Sequence, residues 1–255
     1  MPPSIEKGTA MRQALMMMMM AGIVFALIGA GPVSAADTSF ARWVPGGWKL
    51  LHQAQGDLDG KGGSDAVLVL EQTDPARRVP NEILGPAELN LNPRRLLVLV
   101  DGGKGLAKAI EQDGVLPSEH DAEAPCLEDP LHDDAVLIRK RTLHLTEHSW
   151  TSCGSYGTSR ETMIFRLEPD GKRLRLIGLE YSDMMRNSGE ASETSVNYLT
   201  GRRKRVTGLN EFEPDENRPK TTWSRISRKT PLYLDEMVGD CGAEHHVPAW
   251  CSDLQ

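Results

Sequence analysis

Two short stretches, residues 66–70 and 96–100, are apolar at every position and are bounded by Asp, Gly or Arg. Runs of that length suit strands buried on both faces, in the middle of a sheet. Further along, the pattern changes to alternation. Met163, Phe165 and Leu167 fall on one side against Thr162, Ile164 and Arg166, and Val196 and Tyr198 fall opposite Ser195 and Asn197. That is the period of two of a strand with one wetter side. Leu174 and Leu176 set one phase, whereas Ile177, Leu179 and Tyr181 take the other. The phase change beside Gly178 predicts a β-bulge. Pro169-Asp170-Gly171 and Thr200-Gly201 supply turns. Segments 72–95 and 113–132, rich in Pro, Asn, Asp and Gly, read as long loops, of the kind that are functional or mobile. The pattern predicts an all-β fold with little helix. It consists of antiparallel meanders and one propeller-blade-like or sandwich-like sheet, with a less regular C-terminal part over about residues 208–255.

The N-terminus breaks this pattern. After Met11-Arg12 comes an apolar run from Ala14 to Ala30, holding five consecutive methionines, Met16 to Met20. Gly31-Pro32 ends it, and Val33-Ser34-Ala35-Ala36 follows. A positive residue, an apolar core and a small-residue cleavage site make a secretory signal peptide over residues 1–35, cut after Ala35 or Ala36. An uncleaved anchor is the weaker reading, because the run sits at the short end of the roughly 17–25 residues that span a bilayer. No Cys follows for a lipid anchor and no Arg-Arg pair precedes. Met11 by itself opens a compact signal peptide, so translation is expected to start at Met1 or Met11. The rest, residues 36–255, is expected to be one β-rich domain, periplasmic or secreted, with no stable membrane insertion after cleavage.

Charge and cysteine narrow this picture. The formal net charge is −7, which gives no general attraction to nucleic acid. The one basic cluster, Arg202-Arg203-Lys204-Arg205, reads as a charged hairpin flank. Four cysteines in an oxidising compartment suggest two disulfides. Short loops close more readily, which favours Cys126 with Cys153 and Cys241 with Cys251.

One motif carries chemistry. Gly56-Asp57-Leu58-Asp59-Gly60-Lys61-Gly62-Gly63-Ser64-Asp65 leads into the first apolar run. Asp57, Asp59 and Asp65 have the spacing of carboxylates around a calcium ion on a tight, glycine-containing turn. An EF-hand would place a Glu where Leu68 stands. The loop instead resembles the calcium loops of FG-GAP or integrin-like (VCBS-type) repeats, in which the metal turn feeds a buried strand. More broadly, the chain resembles a group of uncharacterised exported bacterial proteins with a single such segment. The resemblance runs through residues 91–99, Asp129-Pro130, Met163-Ile164-Phe165-Arg166, Leu176-Ile177-Gly178 and Tyr198-Leu199-Thr200-Gly201, and covers most of 48–207. It implies a β architecture and an envelope or secreted location, and no particular activity. It also favours a strand over a short helix at residues 105–112, where Leu106 and Ile110 stand four apart. Lys61 departs from the pattern, since an ammonium at a ligand position repels a divalent cation and can pair with Asp57, Asp59 or Asp65 itself. Calcium is the single cofactor candidate, and a metal-free loop held by Lys61 and backbone bonds is favoured over it.

Other constellations weigh less. Cys241, His245, His246 and Cys251 hold zinc-type donors without the paired spacings of zinc folds. His144 and His148 stand four apart in what alternates as a strand, which separates them, and they read as surface residues. Gly154-Ser155-Tyr156-Gly157 is too short for a nucleophile elbow. The five tryptophans read as packing, with Trp150, beside the Cys153 turn, the best exception. The functional expectation is an exported non-catalytic protein that binds or supports an envelope component or a glycan. The rival is a periplasmic hydrolase whose residues are scattered in sequence, which a cleft with converging acidic or histidine side chains of perturbed pKa would favour.

Overall fold

The computed structural model describes residues 38–216, 218–226 and 230–237. The chain divides into residues 1–39 and residues 40–255, and the strands belong to the second unit. The expected signal peptide, the Cys241–Cys251 pair, His245, His246 and Trp250 lie outside the described residues.

Among the described residues, thirteen strands build an all-β fold of antiparallel sheets. Strands β1 (Trp48–Gly56), β2 (Asp65–Gln72), β5 (Arg94–Asp101) and β6 (Leu106–Asp113) form a four-stranded sheet in the order β1-β2-β5-β6. A seven-stranded sheet runs, from last to first, β13 (Lys220–Arg225), β12 (Arg202–Asn210), β11 (Glu190–Asn197), β10 (Leu174–Met185), β9 (Gly157–Leu167), β8 (Thr142–Trp150) and β7 (Val136–Arg139). It is a meander, each strand pairing with its sequence neighbour. A small hairpin, β3 (Arg78–Pro80) with β4 (Glu88–Asn90), completes the set.

The two apolar runs are β2 and β5, the central pair of the smaller sheet. Val67, Val69, Leu96 and Val98 pack into a core shared with Leu143, Leu145, Met163, Phe165, Leu176 and Leu179 of the large sheet. The opposite faces of the same strands, Ala66, Leu68, Leu70, Leu97 and Leu99, pack against Phe40, Trp43 and Val44. A strand covered twice can carry no polar position, hence the unbroken runs. The sheets therefore stack as a sandwich, joined closely where β1 meets β7. A Cβ on Gly56 would fall 2.8 Å from Ile138 Cγ2, so that approach needs glycine.

The predicted bulge is present, with the β9–β10 register shifting between Leu176 and Gly178. Gly171, at φ +73°, turns β9 into β10, and Gly201, at φ +63°, turns β11 into β12. Residues 105–112 fall in strand β6. Segment 72–95, read as loop, carries the β3–β4 hairpin, whose three-residue strands are too short for periodicity to mark. The stretch after residue 208, expected to be less regular, includes edge strand β13, whose six residues are all exposed and so show no alternation.

Candidate functional site

The inner face of the large sheet changes character along its length. Antiparallel register sets residues directly opposite each other on one face. The rows Leu143–Phe165–Leu176 and Leu145–Met163–Leu179 are apolar. The next row is Glu147–Glu161–Tyr181, and the one after it Ser149–Ser159–Asp183. A cleft of about 660 Å³ opens where this change occurs. Its floor holds Glu147, Ser149, Ser159, Glu161, Met163 and Tyr181.

The other wall is residues 114–122, with Leu127, Pro130, Leu234 and Met237. This is the second long loop, and it is pinned along its length. Arg94 is 1 % exposed. Its guanidinium donates to Glu71 Oε2 (Nε, 3.0 Å), to both oxygens of Asp129 (2.7 and 2.6 Å) and to the Pro117 carbonyl (3.3 Å). Asn90 Nδ2 donates to Glu119 Oε2 at 2.6 Å, and the Asn90 backbone N–H donates to His120 Nδ1 at 3.0 Å. Further on, a disulfide joins Cys126 to Cys153, with Cα atoms 5.5 Å apart. The Ser152 N–H donates to the Cys126 carbonyl and the Glu128 N–H to that of Trp150, both at 2.9 Å. Burial pushes Glu71 up, but Lys49 (2.7 Å) and Arg94 outweigh it and hold the carboxyl below its ordinary value.

Glu161 stands apart. Burial alone pushes its carboxyl up from 4.5 to about 7. Among the described residues it has neither a hydrogen-bond donor nor a cation. A carboxyl withdrawn from water without compensation is costly, and one set in a cleft is a candidate functional group.

The Asp57–Asp65 loop does bring its three carboxylates together, with one oxygen from each within 4.8 Å of the others. Asp65, with 0 % exposure, is already engaged by three backbone donors. Its Oδ2 accepts from the N–H groups of Leu58 (2.7 Å) and Asp59 (2.9 Å), and its Oδ1 accepts from Asp101 N–H (2.8 Å). Asp57 Oδ1 accepts from Gly60 N–H (2.7 Å). Lys61 Nζ lies 2.8 Å from Asp59 Oδ2, and this bond holds Asp59 below the ordinary carboxylate range. The ammonium supplies the positive charge that an ion would bring, so this donor set suits a self-closed loop better than calcium. Leu58, at its centre, packs into the core.

The histidines are kept apart by the strand, as expected, but they are not plain surface residues. His148 stacks on His132, centroids 4.1 Å apart, and its Nε2 lies 2.9 Å from Asp134. His144 is half-buried, and burial lowers its pKa. Trp150 is covered by Arg186, 4.3 Å above its ring, which also donates to the carbonyls of Thr151 and Ser155. In the Arg202–Arg205 cluster, Arg202 covers Trp223 at 4.4 Å.

Comparison with protein-family models, with curated proteins and with solved structures gives no match.

Proposed function

We propose that this chain is an exported, non-catalytic binding protein of the cell envelope, and that its ligand occupies the inter-sheet cleft floored by Glu161. The observation that carries this reading is the Glu161 carboxyl, set in a cleft of about 660 Å³ without a protein partner among the described residues. A ligand that bonds to it would relieve the cost of its burial. The volume falls in the range of small-molecule sites, roughly 300–1,000 Å³. Export is supported by the signal-type N-terminus and by the Cys126–Cys153 disulfide. No helix among the described residues is long and apolar enough to cross a membrane.

The test is saturable binding of small amphipathic molecules by ligand-observed NMR. Ser159→Trp, which fills the floor of the cleft, is the control. Binding that persists unchanged in the filled variant would place the ligand elsewhere. Fractionation of cells and mass spectrometry of the processed chain check export, with an N-terminus at Ala36 or Asp37 expected.

One observation favours the hydrolase reading. Glu147 and Glu161 sit directly opposite on adjacent strands, and a raised carboxyl beside a second one can serve as an acid with its base. Against it, among the described residues no serine of the cleft is hydrogen-bonded to a histidine. Steady hydrolysis of chromogenic esters or glycosides, abolished by Glu161→Gln, would replace binding with catalysis.

A further inference from the structure

We infer that the open edge of the seven-stranded sheet, at β13, binds an acidic, extended peptide segment of a partner protein, which joins the sheet as a further strand. The cleft takes no part, since its floor lies on β8, β9 and β10. Strands β12 and β13 together carry six cations and no carboxylate. Among the described residues, Lys204, Arg205, Lys220 and Arg225 form no ion pair. Cations on other strands are answered across the ladder, Arg78 by Glu88 and Arg95 by Glu111 and Asp113. Here the register instead sets Arg202 directly opposite Arg225. Like charges so placed repel, and an anionic strand alongside would relieve them. In a chain of net charge −7, this edge is a local reversal of sign, and it attracts acidic partners.

The backbone of β13 sets the shape of the occupant. All six of its residues are exposed. The Ile226 N–H donates to the Gly201 carbonyl at 3.1 Å. Successive residues of an antiparallel strand turn their backbone groups alternately toward the partner strand and away from it. Thr221, Trp223 and Arg225 therefore turn theirs to the open side. An unpaired edge of that kind is a template for another strand, and main-chain bonds along it hold an extended peptide.

Charge then selects the peptide. Arg202, Lys204 and Arg225 stand on one face of the sheet, and Arg205 and Lys220 on the other. An added strand alternates its side chains between the two faces, so acidic residues at successive positions meet cations on both. A polysaccharide or a lipid surface would lie against one face and leave the backbone groups unused. A second copy would bring the same cations edge to edge. Charges on an edge often serve only to keep copies apart, but Trp223, in the middle of this one and 57 % exposed, works against that purpose. Its ring, with Arg202 above it, offers the incoming strand an apolar contact. The first face does hold carboxylates, Glu193 and Glu180, but further in, on β11 and β10. The connection before β13 turns acidic at Glu211, Glu213 and Asp215, which bounds the site at that end.

The experiment is fluorescence polarisation of the purified protein with a labelled peptide, Glu-Glu-Thr-Glu-Glu-Val-Glu-Glu. It should bind at least about ten-fold more tightly than its all-glutamine counterpart at low ionic strength, and lose that preference at about 1 M salt. A copy N-methylated at two adjacent central residues, which blocks both of its edges, should bind at least about ten-fold more weakly than the unmodified peptide. Lys204→Glu with Arg225→Glu changes one face, and Arg205→Glu with Lys220→Glu changes the other; each pair should weaken the peptide by a similar factor. At saturation the amides of Thr221, Trp223 and Arg225 should gain protection from hydrogen exchange. Equal binding of the N-methylated copy, or unchanged exchange at those amides, would overturn the added strand. Equal binding of the glutamine peptide would overturn the selection by charge. Tighter binding of oligogalacturonate or of phosphatidylglycerol vesicles would make the edge a site for an anionic glycan or a lipid surface instead.

Discussion

Replacing Glu161 by glutamine should make the folded protein more stable, by a margin that opens above about pH 4.5 and is complete above about pH 7. Each ten-fold change in proton affinity is worth about 1.4 kcal/mol. Carrying the carboxyl from 4.5 to about 7 therefore corresponds to roughly 3 kcal/mol. A carboxyl raised in the folded state holds its proton between those two values while the unfolded chain has lost it. Stability then falls as pH rises through that window, and the full cost stands above it. Glutamine keeps the shape and never ionises. The variant should match the wild type near pH 4 and exceed it by about 2–3 kcal/mol at pH 8. Urea unfolding at a series of pH values, with the denaturant slope unchanged, reads this directly. A difference between variant and wild type that stays flat from pH 4 to pH 8 would show Glu161 to be solvated or paired. A variant less stable at pH 8 would show that its charge is compensated.

Three further outcomes follow from the polar interior. Arg94→Met takes the guanidinium from Glu71, from Asp129 and from the Pro117 carbonyl and should cost about 3 kcal/mol, the low end for a broken buried pair, because Glu71 keeps Lys49 and Asn90; a midpoint shift equivalent to under about 1 kcal/mol in urea would contradict it. Asp65→Ala leaves three backbone N–H groups without an acceptor and should cost about 3 kcal/mol, with hydrogen exchange accelerated at Leu58, Asp59 and Asp101; unchanged protection at those amides would show another acceptor in place. Calcium at about millimolar concentration should give no calorimetric heat with the wild type, and Lys61→Asn, which exchanges the ammonium for an oxygen donor, should bring heat in; wild-type heat would mean that Lys61 moves aside.

The scaffold was legible in the sequence because burial leaves a periodic trace. Residues 66–70 and 96–100 are covered on both sides, and they read as unbroken runs; the bulge beside Gly178 showed as a phase change. The site left a fainter trace. Leu143, Leu145, Glu147 and Ser149 form one stripe of β8 that turns from apolar to polar at one end, and Glu161 and Tyr181 extend the same change to β9 and β10. A single strand of that kind reads as an ordinary rim. Its meaning depends on what lies across from it, and segment 113–132 has no periodicity to reveal that it packs there. Glu71 and Arg94 were hidden for the opposite reason, since each ends a buried run and there looks like a boundary charge. Only the pairing of β2 with β5 places them opposite each other, in the interior.

The pinned loop and the raised carboxyl explain each other. A sandwich usually ends in solvated polar side chains, and Glu161 at an open rim would stay near its ordinary value. It is raised because residues 114–122 close over the row, and they hold that position through Arg94, Asn90 and the disulfide at Cys126. These anchors engage the loop from outside the cleft and leave Glu161 itself without a partner among the described residues. If closing the core were their only purpose, an apolar residue at 161 would serve better, because it would carry none of the burial cost. Keeping a carboxyl under a fixed roof makes sense when the roof must already be in place for an arriving ligand, which then loses little in ordering it. Loosening the roof and neutralising the carboxyl should therefore act in opposite directions on stability, and in the same direction on binding. Arg94→Met lowers the first and weakens the second, whereas Glu161→Gln raises the first and weakens the second.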